Sequence, residues 1–396
     1  MAGIELPWEG LEFASRQFGI PLVGATRIPT LPFYESTRLR VFQESGFAGQ
    51  MEYLNRPAAE RCDFTFHQPW ARTLLVFAFP YTSANTSGSS RPPESGRVAR
   101  YAWGRDYHRT LKRILSSFRT VLSEQFGVSG FDWRPIADSY PIMERAFAEQ
   151  AGYGFRGKNG LIIQMGSGSY FFLAEVLTDL DVIGAPRSVP SENSQCGSCT
   201  RCQDQCPTGA FHSPYVLNAT RCISYLTIEK KGVLHEWERK ALGDWIFGCD
   251  ICQEVCPFNH KAMKFPQEVM EAFRHTAGVG EFIEIHTLLE IRSSASFVKR
   301  FAGTPLLRAG RESLLRNALC VAVNAKYYGL IAKIQEAATS DSSLVVRQTA
   351  YWALQQLSQG TRSASSSRKL LEASLLKESD LFAKGELERL IDNFNL

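Results

Sequence analysis

Eight of the ten cysteines of this chain fall between Cys196 and Cys256. They form the runs Cys196-x2-Cys199-x2-Cys202-x3-Cys206-Pro207 and Cys249-x2-Cys252-x3-Cys256-Pro257, with Cys222 between them. No other feature of the 396 residues constrains the fold as strongly. Disulfides would go with an export signal, and residues 1–20 show no basic n-region, apolar h-region or twin arginine. Thiolates at gaps of two and three residues are soft metal ligands gathered by tight turns. A segment built this way is organised by its metal groups rather than by a large apolar core.

The first run is the bacterial ferredoxin pattern for a [4Fe–4S] cluster, whose fourth cysteine, followed by proline, serves the other of two clusters. The second run repeats the end of that pattern. Crossing the two gives Cys196, Cys199, Cys202 and Cys256 on one cluster, and Cys206, Cys222, Cys249 and Cys252 on the other. Two structural zinc sites would need four ligands each without the crossed Cys-Pro ends. Two neighbouring clusters carry single electrons, so another part of the chain should receive them. Cys62 and Cys320 read as ordinary buried thiols.

At about 150 residues per domain, the length suggests two or three domains. Apolar residues make up 44% and charged residues 21%, which excludes a mainly disordered chain. No apolar run approaches the roughly 18 residues of a membrane helix, so we expect a cytoplasmic protein with no membrane partner. The net charge of +4 does not by itself indicate nucleic acid. Its distribution is more suggestive: Arg97, Arg100, Arg105, Arg109, Lys112 and Arg113 face one acid, Asp106. That segment reads as a solvated helix face or as a phosphate-contacting rim.

Residues 1–185 read as a mixed domain. Residues 74–79 form a buried strand, 83–96 a loop, 109–125 a helix, and 138–151 a loop entering a helix. Residues 161–165 and 170–177 read as an antiparallel pair joined by Gly166-Ser167-Gly168. Residues 186–265 carry the cysteines. Residues 266–396 read as helical. There, Ser313–Leu319 resembles Leu344–Ala350, with Arg316 and Arg347 at matching positions, as in helix-pair repeats of the HEAT type. A Ser-rich link, 358–367, leads to a last helix, about 369–394.

The run Gly152-Tyr153-Gly154-Phe155-Arg156-Gly157-Lys158-Asn159 matches G-x-G-x-x-G and nearly a P-loop. Asn159 replaces the hydroxyl a P-loop needs, and a helical stretch precedes it where a dinucleotide fold has a strand. What remains is close backbone approach to some ligand. Asp106-Tyr107-His108 opens like the D-x-H of cobalamin enzymes, but Leu111 stands where glycine is expected. His108 is therefore read as a partly buried, hydrogen-bonded histidine and not as an axial ligand. Asp138, in Asp138-Ser139-Tyr140-Pro141, is either a helix cap or a proton donor whose pKa burial raises.

Taken together, these motifs resemble the epoxyqueuosine reductases, the cobalamin-dependent family of the last step of queuosine biosynthesis in bacterial tRNA. The resemblance spans nearly the whole chain. It is carried by Tyr101 to His108, Asp138 to Pro141, Gly152 to Asn159, Gly168 to Leu173, Cys196 to Ala210, Arg221 to Glu229 and Gly248 to Gln253. It implies an α+β multidomain protein in three parts: a nitroreductase-like cobalamin-binding catalytic domain (1–185), a ferredoxin-like domain with two [4Fe–4S] clusters (186–265) and an α-helical HEAT-like domain in contact with tRNA (266–396).

The implied reaction reduces epoxyqueuosine to queuosine at the wobble position of tRNAs for Asp, Asn, His and Tyr. Asp138 maps onto the family's proton donor. Tyr101, Asp106, Tyr107, His108, Gly154, Gly157, Lys158, Asn159 and Ser169 are the implied cobalamin contacts, with no histidine on the cobalt. The implied partners are a tRNA anticodon stem-loop and a low-potential donor such as a flavodoxin or ferredoxin, and the chain is expected to be a monomer. Arg308, Arg311 and Arg316 are a second candidate RNA surface, although Arg316 could equally be a buried cation paired with an acid. Phe155-Arg156 departs from the family's usual Trp-Ile, and Ala174 from its glycine. The alternatives are a corrinoid reductive dehalogenase and, from another class, a non-catalytic electron carrier.

Overall fold

The apolar run Thr73–Pro80 (TLLVFAFP) forms a strand buried along nearly its whole length. It anchors a four-stranded antiparallel sheet in the order Leu22–Thr26, Thr73–Pro80, Phe171–Thr178, Trp133–Ile136. In this computed structural model, residues 4–82, 90–186, 195–264 and 268–394 are described. The chain folds as two units. The first comprises Met1–Ser87, Gly104–Thr220 and Asp250–Ala277; the second comprises Gly88–Trp103, Arg221–Cys249 and Gly278–Leu396.

In the first unit, the helix Tyr107–Phe126 presents Leu111, Leu115, Phe118 and Leu122 as an inward stripe at helical spacing. Its N-cap is Asp106, whose carboxylate accepts the His108 backbone N–H, and it ends at Gly127 in the left-handed region. The helix Glu144–Gln150 adds Ala146 and Phe147 to a core with Leu74, Val76, Ile136 and Leu177. Two expectations are corrected here. Ile162–Ile163 pairs with Phe155–Arg156 in a small hairpin, not with the strand Phe171–Thr178; the eight-residue strand finds longer partners on both sides. Part of the expected loop 83–96 is also a strand, Ser95–Val98, while residues 83–89 lie outside the described residues.

The second unit holds a three-stranded sheet in which Ser95–Val98 lies between Trp245–Phe247, parallel, and Phe282–Glu284, antiparallel. The helices Gly310–Asn324, Ile331–Ser340, Leu344–Ser358, Ala364–Lys377 and Leu381–Asp392 follow. Half of the expected Ser-rich link is helix, at Ser358 and from Ala364 on, and the expected last helix is two. Glu378 leaves the helical conformation, and Asp380 caps the next helix by accepting the Ala383 N–H at 2.8 Å. Among the described residues, no helix is long and apolar enough to cross a membrane.

The basic residues of this unit depart from expectation. Arg316 is fully buried. Its partners are the carbonyls of Leu226, Lys230 and Gly232, at 2.7–2.8 Å, and Asn317 Oδ1. They include no acid. Arg311 is 93% buried and bound to Asp341. Neither can face a nucleic acid. Arg308 remains exposed, 2.9 Å from Glu229. Cys62 and Cys320 are buried, as read.

Candidate active site

The start of the helix Tyr107–Phe126 and the loop after the strand Trp133–Ile136 bring four groups of the first unit together. Tyr107 Oη donates to Asp138 Oδ2 at 2.6 Å. His108 Nε2 lies 3.6 Å from the same oxygen, and its Nδ1 lies 2.7 Å from Asp106 Oδ1. The Tyr107 ring is stacked between His108, at 4.1 Å, and Phe172, at 4.3 Å. That packing fixes both hydrogen-bonding heads. Asp138 keeps 62% of its side chain accessible.

The charges here differ from the sequence expectation. Burial does push Asp138 up, but pairing with His108, the Tyr107 hydroxyl and the Arg145 charge outweigh it. The carboxyl ends below its ordinary value, not above. The proton sits on His108 instead. Burial disfavours its charge, yet Asp106 and Asp138 together raise the imidazole to about 9. Asp138 is not a helix cap either: the helix Glu144–Gln150 begins six residues later, after Met143. Asp138 has φ 48°, a left-handed conformation that costs a non-glycine residue of order 1–3 kcal/mol. Its backbone N–H donates to Glu144 Oε1 at 2.6 Å.

The glycine-rich run closes the hairpin Phe155–Arg156/Ile162–Ile163. At Gly154, φ is 69° and a Cβ would meet the Ile163 carbonyl oxygen at 2.6 Å, so only glycine fits. Lys158 Nζ donates to the carbonyls of Gly197 at 2.6 Å and Cys199 at 3.0 Å, on the cysteine loop. Asn159 Oδ1 accepts from Leu161 N within its own turn. Ser169 bonds Asn259 and Gln253 in the segment after Cys252. Arg156, at the unusual position, lies 2.9 Å from buried Glu35 and 3.8 Å from Glu149, so its charge is matched locally. Tyr101 belongs to the second unit, beside Phe247.

None of the eight clustered cysteines forms a disulfide. Cys196 packs with Cys256. Burial and the neighbouring Cys196, Cys256 and Cys199 push Cys202 up to about 11. Four thiolates crowded in this way need a positive group among them, which is the donor set of an iron–sulfur cluster. Among the described residues, no three His, Cys, Asp or Glu side chains are placed to hold a single metal ion. Of the other set, Cys206 and Cys252 lie in the first unit, and Cys222 and Cys249 in the second.

Sequence reasoning missed Glu175 and the roles of Glu144 and Lys158. The signal for Glu175 was present: it is the only charge in the apolar run Phe171-Phe172-Leu173-Ala174-Glu175-Val176-Leu177.

Comparison with known proteins bears on this site. A family model described as "Epoxyqueuosine reductase QueG, DUF1730" matches residues 61–139, and a "4Fe-4S double cluster binding domain" matches residues 195–259. The epoxyqueuosine reductase of Pseudomonas aeruginosa is 36% identical over 86% of this chain and 91% of its own. A crystal structure of an epoxyqueuosine reductase with an epoxyqueuosine-modified tRNA-Tyr stem loop aligns with TM-score 0.84 at 29% identity, covering 97% of both chains. The Bacillus subtilis epoxyqueuosine reductase, solved with its catalytic loop swung out of the active site, aligns with TM-score 0.83 at 30% identity, covering 97% and 98%.

Proposed function

Since the chain belongs to the epoxyqueuosine reductase family, we propose that it reduces epoxyqueuosine in tRNA with Asp138 as the group that hands a proton to the epoxide oxygen. The family reaction converts epoxyqueuosine to queuosine. Both C–O bonds of the epoxide break, a C=C bond forms, and two electrons and two protons carry the oxygen away as water. The observation that carries the reading is the exposed Asp138 carboxylate, hydrogen-bonded to the Tyr107 hydroxyl and paired with charged His108 at 3.6 Å.

Cobalamin, when bound, supplies the metal centre that passes electrons from the clusters into the C–O bond. The residues fit such a group, because both nitrogens of His108 are engaged by Asp106 and Asp138, leaving neither free to ligate the cobalt. Asp106, Tyr107, His108 and Ser169 are its proposed contacts from this unit, with Tyr101 and the backbone of Gly154, Gly157 and Asn159. Lys158 is committed to the cysteine loop. The cluster ligands are Cys196, Cys199, Cys202 and Cys256, and Cys206, Cys222, Cys249 and Cys252.

In this reading the proton starts on His108. Charge developing on the epoxide oxygen draws it through the Asp138 carboxylate, and Tyr107 holds that carboxylate in line. A depressed Asp138 pKa suits a relay: the group is empty at rest and is loaded by its neighbour. Our reading further includes a nitroreductase-like domain at 1–185, a ferredoxin-like domain at 186–265, a HEAT-like domain at 266–396, a monomeric cytoplasmic protein, and a flavodoxin or ferredoxin as donor. The anticodon stem-loop is the substrate surface, contacted by basic residues of 97–113.

The test is anaerobic reconstitution with iron, sulfide and cobalamin, followed by a low-potential reductant and epoxyqueuosine-containing tRNA, with mass spectrometry of the digested nucleosides. Loss of one oxygen mass that depends on cobalamin is the expected result. No change, with clusters and corrinoid spectroscopically intact, rejects the reading.

A further inference from the structure

Ser169, just before the strand Phe171–Thr178, meets the short helix Pro257–Ala262 that follows Cys256. The contact is a closed set of hydrogen bonds. Asn259, 1% exposed, accepts the Ser169 backbone N–H on Oδ1 at 2.7 Å. Its Nδ2 donates to the Gln253 carbonyl at 2.9 Å and to Ser169 Oγ at 3.0 Å. That hydroxyl passes its own hydrogen to Gln253 Oε1 at 3.0 Å. With a backbone donor at Ser169 and a backbone acceptor at Gln253, only one orientation of the amide satisfies both. Gly168 leaves room for it, since a Cβ there would collide with Asn259 Oδ1.

Position gives this network its meaning. Gln253 directly follows Cys252, and Asn259 lies three residues after Cys256. These two cysteines are proposed ligands of different clusters. Ser169, for its part, lies three residues before Phe172, whose ring stacks on Tyr107 at 4.3 Å. Tyr107 Oη in turn holds Asp138 Oδ2 at 2.6 Å. One buried side chain thus ties a segment of each cluster to the strand that supports the reacting carboxylate. A buried polar network with every member satisfied makes its surroundings rigid.

We infer that Asn259 is a positioning residue: it fixes the segments after Cys252 and Cys256 to the strand Phe171–Thr178, so that electrons leave the clusters across a constant gap. The inference rests on the reading of the clusters and of Asp138 given above. Electron transfer weakens steeply with separation, and in catalysis generally a misplacement of about 1 Å can cost about 10²-fold in rate. As a neutral amide, Asn259 holds position without adding a charge beside the thiolates.

The test uses the full-length reconstituted enzyme. Asn259→Leu keeps the volume and removes every bond of the amide. Clusters reduced beforehand by a low-potential reductant should then pass electrons to bound cobalamin about 10- to 100-fold more slowly in stopped flow, with both cluster potentials and the KM for tRNA unchanged. Amide exchange, followed without cobalamin or tRNA, should speed up together in residues 164–172 and 250–264. A second pair of variants leaves Asn259 in place. Gly166→Ala and Gly168→Ala strain the same turn, at φ 87° and 72°, but nothing lies within 4 Å of a Cβ at Gly166. Gly168→Ala should reproduce the Asn259→Leu defect, and Gly166→Ala should not. Transfer at the wild-type rate in Asn259→Leu, or equal rates in the two glycine variants, overturns the inference. So does slow transfer with shifted potentials, which would place the effect on the clusters themselves. Should Asn259→Leu fail to fold, the glycine pair still decides. A wild-type enzyme that reduces its cobalamin but leaves epoxyqueuosine unchanged would sink the functional reading and not this one.

Discussion

Buried charge is handled in opposite ways at two places in this molecule. In the second unit, Arg316 is surrounded by three backbone carbonyls and an asparagine oxygen, each at hydrogen-bond distance. Arg311 is matched by Asp341 and the Ile291 carbonyl. The Arg316 donors meet acceptors that carry no titratable proton. Around Asp138 in the first unit, the same currency of buried charge is left short. Neither buried carboxyl oxygen of Glu175 meets a hydrogen-bond partner, Asp138 holds a left-handed backbone, and His108 carries a proton between two carboxylates. The first pattern fixes a structure. The second keeps protons available to move, as sites that trade stability for chemistry do.

The comparison predicts its own largest effect. Asp138→Asn keeps the size and hydrogen-bonding reach of the side chain but cannot relay a proton. Turnover should fall by about 10²–10⁴-fold, the usual contribution of positioned acid–base catalysis. Cluster absorbance, cobalamin content and tRNA binding should hold. His108 should lose one of the two carboxylates that raise it, so its titration, followed by NMR, should move down toward the ordinary imidazole value. Normal turnover would remove Asp138 from the mechanism.

Arg316→Met attacks the other pattern. It fills similar volume but leaves three buried carbonyls without donors, so unfolding should become easier by roughly 3–5 kcal/mol. A denaturant series would measure this. The loss should appear as stability, with turnover per folded molecule unchanged. A shift under about 1 kcal/mol would mean that the carbonyls find water or other donors.

How much of this was legible beforehand follows the same division. The cysteine spacing announced two clusters because a cluster dictates local geometry through turns of fixed length. The strand at 73–80 and the helix at 107–126 were visible through their periodicity. Asp138 was visible as a residue but not as an anion, since its charge state depends on Tyr107 and His108, some 30 positions away. Arg316 stayed open between an RNA-facing and a buried cation, and its burial against backbone carbonyls rather than an acid is something no sequence pattern marks. Glu175 could have been found: one acid inside a run of buried apolar residues either breaks the strand or has a purpose. The hairpin at 155–163 was missed because a two-residue strand has no period.

The smallest expected effect concerns Lys158, which sequence reading placed on the cobalamin. Its ammonium instead donates to the carbonyls of Gly197 and Cys199, in the loop between proposed ligands of one cluster. A cation there favours the more negative, reduced state of that cluster and draws the loop carbonyls toward the hairpin. Lys158→Met keeps the stem and removes the charge. The reduction potential of the Cys196/Cys199/Cys202/Cys256 cluster should become more negative in an EPR-monitored titration, while the other cluster stays near its own value. Turnover should fall by about tenfold, the lower end for partners that act through a metal ligand. If neither potential moves but cobalamin binding weakens, Lys158 serves the cofactor after all. The glycine-rich run would then be a ligand loop rather than a brace for the cysteines.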